Sequence, residues 1–271
     1  MLTPSQPKLG VDKGPIHLVE AGLISQIEQL GWRVVFDGHH QFEDIPAAPL
    51  APSPPPNASD DSAVNALDAS IARLKNPLFV ARVCESVAAA VQAHTEMGQL
   101  PVTLGGDHSL AMGTITGTLR SVLLLQLITS NSTDTHQRTY DQACVIWIDA
   151  HADINTIDST DSGNIHGMPL SFLLGLNPPA PSPDSVLAKY EWVSHLPADR
   201  LVYIGLRDVD RGEKEILKKY NIKGFSMHEV DRYVSVSVNA APLTLDTAMV
   251  LARWLKWHST MSTRNETALF T

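Results

Sequence analysis

Apolar residues recur at helical spacing through Ile16, Ala21, Ile24, Ile27 and Leu30, then give way to a short run, Arg33 to Phe36, with the character of a strand. The stretch from Pro46 to Pro56 is rich in proline. Successive prolines withhold backbone donors, which predicts a loop. Asn76 and Pro77 then mark the cap and first residue of a helix whose Val80, Val83, Val87 and Val91 share a face and which Gly98 closes. Apolar runs near 100–104, 144–149, 201–206 and 222–225 predict strands that alternate with helical patterns, and no internal repeat is present. Strands joined through helices give a parallel sheet with helices packed on it, so the chain is expected to be α/β, a three-layer α/β/α fold with a mostly parallel sheet.

Residues 145 to 153, VIWIDAHAD, set four apolar residues directly before Asp149, His151 and Asp153. Alternate residues of a strand point the same way, which predicts two carboxylates and an imidazole converging at the end of a buried strand. Hard oxygens with imidazole nitrogen suit a divalent ion such as manganese. LPVTLGGDHSLAMG (100–113) repeats the design: a short strand, a Gly pair, then Asp107 and His108 opening a helix, with His108 a fourth candidate ligand. DSGNIHGMP (161–169) places Ser162 and His166 in a polar, glycine-bearing loop, and LVYIGLRDVDRGE (201–213) ends in Asp208 and Asp210. Singly, these residues have plainer readings: an N-capping histidine, a loop histidine and two turn aspartates. Jointly, they fall just past the carboxyl ends of apolar strands, where open α/β sheets collect functional groups.

The 271 residues are 44% hydrophobic with a net charge of −9, enough chain for one α/β domain with a substantial core. The acidic balance and the lack of a dense Lys/Arg run argue against nucleic-acid binding. No stretch has the length of a membrane helix and the amino terminus lacks a signal-peptide pattern, so a cytoplasmic protein with no membrane partner is expected. Cys84 and Cys144 fall in apolar helix and strand contexts, which predicts buried free thiols rather than a disulfide.

GGDHSLAMG, WIDAHADINT, SGNIHGMPLSFLLG and YIGLRDVDRGE resemble successive signatures of arginase, in the binuclear manganese ureohydrolase family. PKLGVDKGP (7–15) and FSMHEVDR (225–232) are similar to that family too, so the likeness covers most of residues 7 to 233. The resemblance implies hydrolysis of L-arginine to L-ornithine and urea. His108, Asp149 and Asp153 would hold one manganese, Asp149 bridging to a second held by His151, and His166 would shuttle protons. Asn155 and Ser162 match the family's contacts to the substrate α-carboxylate, and Asp210 its contact to the α-ammonium. A substrate without the carboxylate would have no use for Asn155 and Ser162, which favours arginine over agmatine. Another guanidine hydrolase such as an agmatinase, and a non-catalytic arginase-like product, are the alternative readings.

Two segments depart from the family pattern. Residues 121–142 intervene where the family has a short connection, and connections beyond about 12–15 residues without structure of their own are uncommon. They are expected to form a surface excursion with a short helix or to derive from a retained intron, and the apolar run Val122 to Ile128 would be an aggregation hazard if exposed. The chain therefore divides into an arginase-like domain at 1–233 and a tail of different character at 234–271, with the fold expected to be incomplete at that end. The family's next landmarks are a strand ending in two metal-binding aspartates and a later glutamate; after Tyr233 the only acids are Asp246 and Glu266. Residues 254–271 can be encoded so that a shifted frame gives VEMALDHVNPKRDRPLH, similar to the family's helix and linker before that strand. A tail of retained intron and out-of-frame exon is the expectation, with weakened activity and a second metal site lacking ligands. The family's usual homotrimer relies partly on the same carboxyl-terminal elements.

Overall fold

The computed structural model describes residue 10, residues 13–40, residue 67 and residues 69–129, 143–238 and 268–270. The proline-rich stretch at 46–56, residues 130–142 of the expected excursion and most of the tail after Tyr233 lie outside the described residues. Among the described residues, no helix is long and apolar enough to cross a membrane. The chain forms two compact units, one of Met1–Ser121 with Asp153–His195, the other of Val122–Ala152 with Leu196–Thr271.

The first unit is helical. The periodic pattern from Ile16 to Leu30 makes two short helices rather than one, α1 (Gly14–Glu20) and α2 (Leu23–Gln29). Gly22, at φ +90°, takes the left-handed conformation that interrupts the helical ladder. Helix α3 (Pro77–Glu96) starts at Pro77 as expected and buries Val80, Ala81, Val83, Cys84, Ala88 and Val91. Val87 is partly buried and packs with Phe79 against Val83 and Leu110. Leu110 begins α4 (Leu110–Thr129), whose first part, to Ser121, belongs to this unit. A Cβ on Gly113 would stand 2.5 Å from the Cys84 carbonyl oxygen, and one on Gly117 2.4 Å from that of Ala88. These two glycines let the helices approach closely enough to close the core between them.

Two expected strands are absent: residues 33–36 and 100–104 are irregular. A strand is stabilised by a partner's ladder and by burial of one face, and here Val35, Phe36, Leu100 and Val102 are all exposed. A histidine ties both segments to α3 instead. His94 Nε2 lies 2.5 Å from Asp37 Oδ2, and its Nδ1 lies 2.5 Å from Gln99 Oε1.

The long loop that opens at Asp153 is held along its length. Lys75 N–H donates to Gly163 O (3.0 Å), Thr160 Oγ1 accepts from Gly163 N–H (3.1 Å), and Arg73 donates to Ile157 O (3.4 Å). Further on, Tyr190 Oη donates to Pro77 O (2.7 Å) and Arg120 donates to Trp192 O (2.6 Å). Helix α5 (Pro169–Leu173) lies within this loop, with all five residues buried.

The second unit is a parallel sheet with strand order β3-β2-β1-β4, made of β1 (Cys144–Ile148), β2 (Leu201–Leu206), β3 (Lys223–Ser226) and β4 (Ala268–Phe270). In the central pair, Val145 stands opposite Leu201 and Ile148 opposite Ile204. Helix α6 (Arg211–Lys219) follows β2, and α7 (Met227–Val238) follows β3. Each begins with a reciprocal cap. Asp210 accepts from the backbone of Glu213 while Glu213 accepts from Asp210 N–H (3.0 Å). Ser226 donates its backbone N–H and hydroxyl to Glu229 (2.7 and 2.8 Å), which holds the Glu229 carboxyl below its usual range.

The α/β class and the parallel sheet stand as expected, with two corrections. Strand β1 is not buried to its end, because Ile148 is 59% exposed. Both cysteines are free, but only Cys84 is buried; Cys144, at the first position of β1, is half-buried. The Cys84 thiol donates to Ser109 O (3.1 Å), and burial raises its pKa far above the ordinary range.

His94 makes the first unit's stability depend on pH. Its pKa is raised from 6.5, chiefly by the hydrogen bond to Gln99, against the opposing effect of burial, with Asp37 adding to the rise. A folded-state value above the unfolded one stabilises fully below about pH 6.5, and that contribution is lost as pH rises through the folded value. The difference in thermal midpoint between wild type and His94→Asn should therefore be larger at pH 6 than at pH 8; a constant difference would remove His94 from the account. A second expectation concerns Gly163, at φ +68°, where a Cβ would come within 2.0 Å of Arg73 O. Gly163→Ala should cost roughly 3 kcal/mol in chemical denaturation, combining left-handed backbone strain with overpacking against a backbone atom. A cost below about 1 kcal/mol would show that the loop is not held there.

Candidate metal centre

In the second unit, pairing continues past the end of β1. Asp149 N–H donates to Ile204 O (3.0 Å), and the N–H groups of Arg207 and Asp208 both donate to Ala150 O (2.9 and 3.0 Å). Tyr203, fully buried, donates its hydroxyl to Ala152 O (2.8 Å). The exit of β2 thus fixes the backbone from Asp149 to Ala152. Gly205, at φ +91°, supplies the left-handed residue at which β2 approaches Asp149 O.

The expected two-residue alternation of Asp149, His151 and Asp153 does not operate, because the strand stops at Ile148 and residues 149–151 form a bend. The Asp149 side chain is the cause. Its Oδ1 accepts the His151 backbone N–H (2.8 Å), a local bond that competes with extended structure. The bend leaves His151 Nδ1 3.3 Å from Asp149 Oδ1 and His151 Nε2 3.5 Å from Asp208 Oδ2.

In the first unit, Asp153 has a left-handed backbone (φ +48°), which Asp tolerates better than most residues. Asp153 O accepts from Leu170 N–H (3.1 Å), and Asn155 N–H donates to Gly167 O (3.1 Å). These two bonds join the Asp153 turn to the one-turn 3-10 helix Ile165–Gly167, which carries half-buried His166. The buried Asp153 carboxylate lies 2.5 Å from His108 Nδ1. His108 itself is half-exposed and sits in the turn before α4, where buried Asp107 accepts from the backbone N–H and hydroxyl of Ser109 (3.0 and 2.5 Å).

The three residues matched to substrate contacts have different surroundings. Asn155 is buried, and its side-chain oxygen accepts from Ser159 Oγ (2.9 Å). Ser162 is exposed, and its hydroxyl accepts from Asn164 N–H (3.2 Å). Asp210 serves as the α6 cap described above, the turn role open to it from sequence. Sequence reasoning did not single out Tyr203, or the bond of Asp208 N–H to Ala150 O. The only signal for Tyr203 was a hydroxyl on an otherwise apolar strand.

Each unit thus offers one imidazole–carboxylate pair, His108 with Asp153 and His151 with Asp149, donors of the kind that suits a hard or borderline divalent ion. Residues 2–247 match the family model "Arginase family". The arginase of Glaciozyma antarctica is 45% identical over 229 residues, which is 84% of this chain and 56% of that protein. The arginase of Neurospora crassa is 39% identical over 233 residues, 84% of this chain and 55% of that protein. Among solved structures, arginase from Bacillus caldovelox is 30% identical with a TM-score of 0.65, covering 99% of this chain and 71% of that one. The cold-adapted Glaciozyma antarctica arginase is 41% identical with a TM-score of 0.56, covering 86% and 64%. The chain spans little more than half the length of the first two relatives. With the family model matched over most of its residues, the chain belongs to the arginase family.

Proposed function

We propose that the protein acts in hydrolysis of L-arginine to L-ornithine and urea, at a manganese centre to which this chain contributes His108, Asp149, His151 and Asp153. One observation carries the reading: His108 pairs with Asp153, and His151 pairs with Asp149, so both imidazole–carboxylate pairs draw on the five consecutive residues 149–153. The donor chemistry fits manganese, since imidazole nitrogen and carboxylate oxygen are its ordinary ligands. When bound, the ions would lower the pKa of a shared water and make hydroxide available near neutral pH. Asp149 would be held in common by both ions, as the family resemblance implies.

The remaining steps belong to side chains. Asn155 and Ser162 would donate to the substrate α-carboxylate, and Asp210 would accept from the α-ammonium while one of its oxygens stays with α6. Attack at the guanidinium carbon gives a tetrahedral species, and its collapse to urea and ornithine needs a proton on the leaving amine. His166 would deliver it, directly or by relay to solvent. The 3-10 turn that holds His166, hydrogen-bonded to the Asp153 segment, gives that proton donor a fixed position.

Two measurements test this. The purified chain should bind manganese, at fewer than two tightly held ions because four ligands are only part of a binuclear shell, and His108→Asn or Asp153→Asn should abolish tight binding. Metal analysis finding none on the wild type, or two held tightly, would overturn the assignment. In saturating manganese, urea should be released from arginine faster than from agmatine. His166→Asn should lower kcat by about 10²-fold or more with a smaller change in KM, as expected of a proton-transfer group; an unchanged kcat would make His166 structural.

A further inference from the structure

We propose that Asp208 is a positioning residue for His151, the outer carboxylate of a carboxylate–histidine–metal relay, and that it sets which imidazole nitrogen is presented to the ion. The inference rests on the manganese reading above. A metal-bound histidine almost always gives its other ring N–H to a carboxylate, carbonyl or water, which fixes the tautomer and makes the ligating nitrogen a better donor. His151 has this arrangement in outline. Its Nδ1 faces Asp149 Oδ1 at 3.3 Å, the ligand it would share an ion with, and its Nε2 faces Asp208 Oδ2 at 3.5 Å. Nδ1 is therefore the nitrogen on the metal side and Nε2 the one that carries the proton.

The Asp208 carboxylate is 83% exposed, so contact alone would be weak evidence. The main chain supplies the rest. Asp208 N–H donates to the carbonyl oxygen of Ala150, the residue immediately before His151, and Arg207 N–H donates to the same oxygen. The backbone origins of the two side chains are thus fixed to each other by hydrogen bonds, and only the side-chain torsions remain to be ordered. Asp210, two residues on, is engaged at the start of α6, which leaves Asp208 as the carboxylate of this segment that serves the histidine.

Manganese affinity of the full chain tests the relay, measured by isothermal titration for the wild type, Asp208→Ala, Asp208→Asn and Asp199→Asn. Asp199 is exposed and controls for loss of one negative charge. Asp208→Ala should weaken binding about tenfold or more, and Asp208→Asn should fall between it and the wild type, because an amide oxygen can accept an Nε2–H but carries no charge. Asp199→Asn should match the wild type. The metal-free unfolding midpoint of Asp208→Ala should be unchanged, which separates positioning from a structural role. Equal affinity for wild type and Asp208→Ala, an equal loss in Asp199→Asn, or a lowered metal-free midpoint would each overturn the proposal while leaving the manganese centre intact. A wild-type chain that binds no manganese would instead sink the metal reading and this relay with it.

Discussion

The carbonyl oxygen of Ala150 is the point on which the candidate chemistry hangs. It lies beyond the last residue of β1, where a parallel ladder would ordinarily have ended, and it accepts two backbone N–H groups from the exit of β2. A backbone acceptor has two lone pairs, and satisfying both from consecutive donors forces the exit of β2 to turn across the end of β1. Tyr203 adds a third constraint two residues later through Ala152 O. Side chains placed on such a backbone can be preorganised without a buried pocket built around each of them.

Aspartate recurs among the described residues in physically different roles. Asp107 is buried and satisfies the turn before α4; Asp149 bends its own chain through His151 N–H; Asp153 occupies a left-handed conformation beside His108; Asp210 caps α6. The side chain is short enough to reach local backbone donors, and its charge is stabilised by every N–H it accepts. A segment rich in aspartate can therefore be structural and reactive at once. At Asp210 both roles would fall on one carboxylate.

Much of this was legible from residue order. Pro77 opening α3, the shared valine face, and the strands at 144 and 201 came from periodicity, because those segments bury apolar residues, whereas the strand at 223 has no fully buried residue and is held by its ladder to β2. The metal-ligand candidates were legible because acids and histidines directly after apolar strands are chemically conspicuous. The segments at 33–36 and 100–104 misled for a physical reason: β-branched and aromatic residues favour strands only where a partner exists, and propensity carries no information about the partner. The alternation across 149–153 misled because a single side chain-to-backbone bond from Asp149 outweighed the extended state. The break at Gly22 was present in the sequence and was outvoted by apolar spacing on either side. The links to Ala150 O could not be read at all, since backbone groups are the same in every residue.

The contact between Cys84 and Ser109 has a practical consequence for following this protein in solution. A thiol that is fully enclosed, hydrogen-bonded to a carbonyl and held in its protonated form is a poor nucleophile, because thiolate is the reactive species. Alkylating reagents would then reach Cys84 only when α3 separates from the turn before α4, whereas half-buried Cys144 stands at the first position of β1, opposite Ala268 of β4. Modification of Cys84 would therefore report opening of the first unit against a more accessible thiol in the second, without any engineered label.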